Sequence, residues 1–149
     1  MNRKFSATAA LSFLALTWFA AAALPAKATP CNLATAAGSF GYSFSGFAGT
    51  GPFIPAAASG SATFDGHGNL QGAQVTTLGG TPVQETYTGT YTVAADCTVD
   101  LVANVSSPLG ARTDHVHGTW IDDVNGSYFI FSSPGLTLTG TSRRIHPKD

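Results

Sequence analysis

Charge is scarce in this chain of 149 residues: only 10% are Asp, Glu, Lys or Arg. Seven cations cannot build the Lys/Arg-rich face that a nucleic-acid binder needs. The same scarcity, without Leu/Ala/Glu/Lys periodicity, excludes a coiled coil or long-helix protein. Cysteine is almost absent, and its two copies form neither a close C-x-x-C redox pair nor a zinc-cysteine spacing. A phosphate loop, a dinucleotide fingerprint and a Gly-x-Ser-x-Gly elbow are missing too. What is present is 44% hydrophobic residues, 11% aromatics and 17 glycines, with Thr and Ser filling much of the remainder. That aromatic content excludes a charge-rich disordered chain.

The N-terminus has the tripartite layout of a secretory signal. Arg3 and Lys4 precede an apolar run from Ala9 to Leu24, and Pro25 and the small-residue tripeptide Ala26-Lys27-Ala28 follow. Cleavage is expected after Ala28, giving a signal peptide over 1–28 and a single domain over 29–149. The apolar run is short for a membrane span and no basic segment follows it, so no stable span is expected after signal removal. Pro30 before Cys31 does not suit lipidation. The expected location is the periplasm or the medium. Without the signal, four cations remain against eight carboxylates, a net charge of −4, which disfavours nucleic acid and other polyanions as partners. In an oxidising compartment Cys31 and Cys97 have one possible pairing, so a disulfide is expected.

Period-two alternation runs through the mature chain. Glu85, Tyr87, Gly89, Tyr91 and Val93 share one face of a strand over 83–93, and Gln84, Thr86, Thr88, Thr90 and Thr92 share the other. Phe40, Tyr42 and Phe44 alternate with Ser and Gly, and further strands are expected over 59–64, 70–78, 99–105, 114–121, 128–131 and 136–145. Asp65-Gly66, Gly79-Gly80 and Asn125-Gly126 mark tight turns. About eight strands with short links form an antiparallel meander. Closure into a small β-barrel removes the exposed edges, and strand-interior glycines permit the bends. A two-sheet β-sandwich is the alternative. The apolar stretch Ala48 to Ala58, with Pro52 and Pro55, reads as the longest link, either a lid over one end or a surface loop.

Eight meandering strands after a signal peptide resemble the calycin-type barrels, lipocalins and allene-oxide-cyclase-like proteins. The lipocalin Gly-x-Trp near the first strand is missing, and its nearest analogue is Gly38-Ser39-Phe40, with Phe in place of Trp. The phrase Gly89-Thr90-Tyr91-Thr92-Val93, followed by Ala95-Asp96-Cys97, also resembles a segment of small exported bacterial proteins without assigned function. The resemblance implies an up-and-down barrel and carries no catalytic residue across.

Few residues are candidates for chemistry. Glu85 shares its face with Tyr87 and Tyr91. In the interior, desolvation would raise its pKa and suit it to acid/base work in an isomerase or cyclase; at the rim it would be solvated. His115 and His117 point to one side of their strand and could ligate a metal if a third ligand were found, or could face solvent. Arg143-Arg144 reads as a solvated strand end. Three functions stay open. One is binding of a small apolar or amphipathic ligand among Phe40, Tyr42, Phe44, Tyr87 and Tyr91. Another is a filled structural or surface-interaction barrel, and the third is catalysis through Glu85. No cofactor is implied, and the oligomeric state is not legible.

Overall fold

The computed structural model describes residues 30–145; the expected signal segment 1–28 and His146 lie outside them. A short helix α1 (Leu33–Ala36) leads into β1 (Gly38–Ala48), β2 (Ile54–Phe64), β3 (Asn69–Leu78) and β4 (Thr81–Val93). Then follow β5 (Thr98–Ser106), β6 (Arg112–Ile121), β7 (Gly126–Phe131) and β8 (Leu136–Arg144). Each strand pairs antiparallel with the next, and β1 also pairs with β8 from Phe40↔Arg144 to Ala48↔Leu136. That last ladder closes the barrel and rules out the sandwich. The eight-stranded closed meander is consistent with the calycin-like layout. Among the described residues no helix is long and apolar enough to cross a membrane.

Two local expectations fail for identifiable reasons. The stretch from Ala48 to Ala58 is not a long link. β1 and β2 continue through it and pair out to Ala48↔Ile54, so only residues 49–53 turn. Pro55 is tolerated because its backbone position faces Phe47 near the hairpin tip, where few ladder bonds are lost. Helix α1 was invisible to periodicity because four residues make barely one turn. A capping box defines it instead: the Asn32 side chain accepts from the Thr35 N–H (3.1 Å), and the Asn32 N–H donates to Thr35 Oγ1 (3.0 Å).

Alternation sets which side chains enter the barrel. On β4, Val83, Glu85, Tyr87 and Tyr91 are buried, while the threonines between them are exposed. On β6, Asp114, Val116 and Trp120 point in and His115 and His117 point out. Two strand glycines make room for rings on neighbouring strands. A Cβ at Gly72 would collide with the Tyr87 hydroxyl and the Ser61 carbonyl, and one at Gly140 with the Phe129 ring.

One end of the barrel is sealed. The Cys31–Cys97 disulfide (Cα–Cα 5.0 Å) ties the segment before α1 to the β4–β5 turn. Ala36 of α1 is fully buried in the same core cluster as Cys31. Phe40 lies 4.7 Å from Trp120, and Phe64 packs edge-on to Tyr91 at 4.8 Å, measured between ring centroids. The Tyr91 hydroxyl accepts from the Gly66 N–H and reaches the Leu33 carbonyl. Arg144 is no solvated strand end: it stacks over Phe40 (4.5 Å) and donates to the carbonyls of Ala37, Thr35 and Val124. Arg143, beside it, is exposed and pairs with Asp122.

Candidate functional site

The opposite end of the barrel, where β3 turns into β4 and β5 into β6, holds a charged network. Glu85 lies in the fifth position of β4, and inward parity buries it to 3% exposure. Arg112 opens β6 and Asp114 follows two residues later on the same inward face, also buried. Arg112 grips both carboxylates. Its Nη1 donates to Glu85 Oε1 at 2.5 Å, its Nη2 to Glu85 Oε2 at 3.0 Å, and its Nε to Asp114 Oδ2 at 3.0 Å. From β3, Gln74 Nε2 and Thr76 Oγ1 each donate to Glu85 Oε2 at 2.7 Å. Gln74 Oε1 in turn accepts from the Tyr42 hydroxyl at 2.7 Å.

This geometry separates the two acids. Burial pushes the Glu85 carboxyl up, but hydrogen bonds, chiefly from Arg112, Gln74 and Thr76, outweigh it and hold the group at about 2. The expected rise at Glu85 is therefore reversed, because a guanidinium and two neutral donors replace the water it lost. Asp114 goes the other way. Burial raises its pKa, Arg112 opposes this, and the nearby Glu85 charge adds to the rise. Arg112, bonded to Glu85, is held more firmly protonated than usual. Burial also pushes Tyr42 and Tyr87 upward, Tyr87 to about 12, so both phenols stay neutral.

Between the charged and sealed ends lies a cavity of about 90 Å³. Eight aromatic rings line it, Phe40, Tyr42, Phe44 and Tyr87 among them. Aliphatic side chains fill most of the remaining wall, and Gln74, Asp114, Ser127 and Ser142 supply its polar atoms. Tyr91, grouped with these residues by strand parity, is not part of the lining; it sits in the sealed end against Phe64. The structure thus brings together four of the five expected ligand-facing aromatics and places Glu85 one hydrogen bond behind the wall, through Gln74.

The remaining candidates lie elsewhere. His115 and His117 are exposed on the outer wall, and His117 Nδ1 sits 2.6 Å from Asp100 Oδ1 on the neighbouring strand. Among the described residues no three His, Cys, Asp or Glu side chains cluster in a way that could hold a metal ion. Sequence reasoning missed Arg112, which falls between the strands expected over 99–105 and 114–121. Its signal was parity: it shares a face with Asp114, Val116 and Trp120, and an inward acid on another strand calls for a cation.

Fold and site together define a closed eight-stranded meander barrel with a small aromatic cavity and a buried ionic network at one end. Comparison with protein-family models, curated proteins and solved structures gives no match.

Proposed function

We propose that this protein is an exported binding module that holds a small, mostly apolar molecule inside its barrel, against Phe40, Tyr42, Phe44 and Tyr87. The observation that carries the reading is the aromatic cavity of about 90 Å³ inside the barrel. Native interiors carry few voids larger than a water molecule, and such a void forfeits packing energy. For scale, a dry apolar cavity of roughly 150 Å³ accepts benzene, so the occupant here is smaller. The disulfide is compatible with export through the expected signal peptide. Catalysis through Glu85 finds less support, because that carboxylate already accepts four hydrogen bonds.

The modest volume favours one rival, a filled structural barrel; drug-sized ligands occupy pockets of roughly 300–1,000 Å³. ¹²⁹Xe NMR distinguishes the two. A saturable xenon shift that disappears in Ala103→Leu, whose added side chain enters the cavity, supports binding. If xenon gives no saturable shift and Ala103→Leu leaves the protein equally or more stable, the barrel is a solid scaffold and the binding reading fails.

A further inference from the structure

The cavity wall has an uneven supply of hydrogen-bonding groups. Both Gln74 amide protons are used, on Thr76 and Glu85. The Tyr42 proton goes to Gln74 and the Tyr87 proton to the Ser61 carbonyl. Ser127 and Ser142 bond each other at 2.7 Å, which leaves one hydroxyl proton between them. Trp120 Nε1 has no partner, but the atom has no accessible surface from which to meet a ligand. Apart from that one serine proton, what remains is acceptor capacity, and its strongest holder is Asp114. This side chain is 6% exposed, takes a single hydrogen bond from Arg112 Nε, and is the only charged residue lining the cavity among the described residues.

Charge counting points the same way. The buried network has two carboxylates, Glu85 and Asp114, against one guanidinium. Glu85 takes two of the three Arg112 contacts and two further donors, so the uncompensated negative charge falls on Asp114. The rest of the wall is aromatic, and ring faces attract cations. A buried carboxylate costs free energy unless paired. A ligand that brings both a positive charge and an N–H donor would complete the site.

We propose that the occupant of the barrel is a small aliphatic ammonium ion, with its N–H groups on Asp114 and its carbon chain among the rings of Tyr42, Phe44 and Phe129. The inference rests on the cavity being a binding site and adds the ligand's class. At about 90 Å³, or roughly three times the volume share of a liquid water, the cavity suits a chain of a few heavy atoms.

The test compares propylammonium, 1-propanol and propionate, matched in size and differing in charge, by calorimetric titration of the full chain at pH 7. Propylammonium should bind at least tenfold more tightly than propanol, with propionate weakest. Asp114→Asn should erase that preference while keeping the xenon signal, which shows that the cavity has survived. Equal affinity for propylammonium and propanol overturns the ammonium assignment and leaves the binding reading standing. So does an Asp114→Asn protein that still prefers the amine, or a xenon signal with no binding of propylammonium. An unsubstituted protein with no saturable xenon shift, whose Ala103→Leu variant is equally or more stable, removes both.

Discussion

The two ends of this barrel are closed by different physics. At the sealed end a covalent link, a one-turn helix and stacked rings exclude water, and the half-buried Arg144 turns both Nη groups to backbone carbonyls. At the other end three ionisable side chains are carried into the wall, with one more negative group than positive. Dispersion and cross-linking are enough to close a barrel, as the first end demonstrates. A buried ionic network is a poor substitute, since desolvation consumes much of its attraction. The charged end is therefore the place to look for function, and the sealed end is the place to look for stability.

Breaking the sealed end should have the largest effect. The disulfide joins residues 66 apart in sequence, and in the chain-entropy model a loop of that length is worth about 4 kcal/mol. The paired substitution Cys31→Ser/Cys97→Ser should lower stability by that amount, read from urea unfolding with midpoint and slope both fitted. It should leave xenon binding in the surviving folded fraction unchanged, because neither cysteine lines the cavity. A loss of xenon binding at full stability would show that the two ends are not separable.

Next comes Arg112→Met at the charged end. It strands Glu85 and Asp114 together in the wall without a counter-charge. Removing one partner of a buried pair costs roughly 3–5 kcal/mol. Because the Arg112 side chain is 34% exposed, the loss should fall at the lower end, about 3 kcal/mol. The deficit should shrink on acidification, as the two stranded carboxyls take up protons. A deficit constant between pH 7 and pH 4 would mean that Arg112 acts through packing alone.

How much of this contrast was legible in the sequence differs between the ends. Period two put Glu85, Tyr87 and Tyr91 on one face but left open whether Glu85 lay inside or at the solvated rim, and the lone possible cysteine pairing gave the staple. Parity cannot say how far along the barrel axis a residue lies, which is why Tyr91 was grouped with the cavity and belongs to the seal. Nor can it pair strands that lie far apart in sequence. Arg112 is 27 residues from Glu85, and the contact exists only because β4 and β6 both flank β5. Arg144 escaped for the same reason, since its carbonyl partners Thr35 and Ala37 sit at the other end of the described chain.

The smallest predicted effect sharpens the comparison inside the charged end. Glu85 is held at about 2, below its ordinary 4.5. Its contribution to stability is complete above about 4.5 and is lost as the pH falls from there towards 2. Asp114 is shifted the opposite way from 3.8. The folded protein takes up that proton before the unfolded chain does, so Asp114 favours the folded state below 3.8, and the benefit is lost as pH rises through its folded value. Acidification from neutrality should therefore first raise stability slightly or leave it level, and then reduce it steeply. Glu85→Gln should cost about 2 kcal/mol at pH 7 and flatten the steep acid limb. Asp114→Asn should change stability by less than about 1 kcal/mol at pH 7, because it relieves a buried charge while giving up one hydrogen bond, and it should abolish the initial rise. Urea midpoints from pH 7 to pH 2.5 for the three proteins test this. If Asp114→Asn cost as much at pH 7 as Glu85→Gln, Arg112 would be serving both carboxylates equally, and Asp114 would have no negative charge to spare for a ligand.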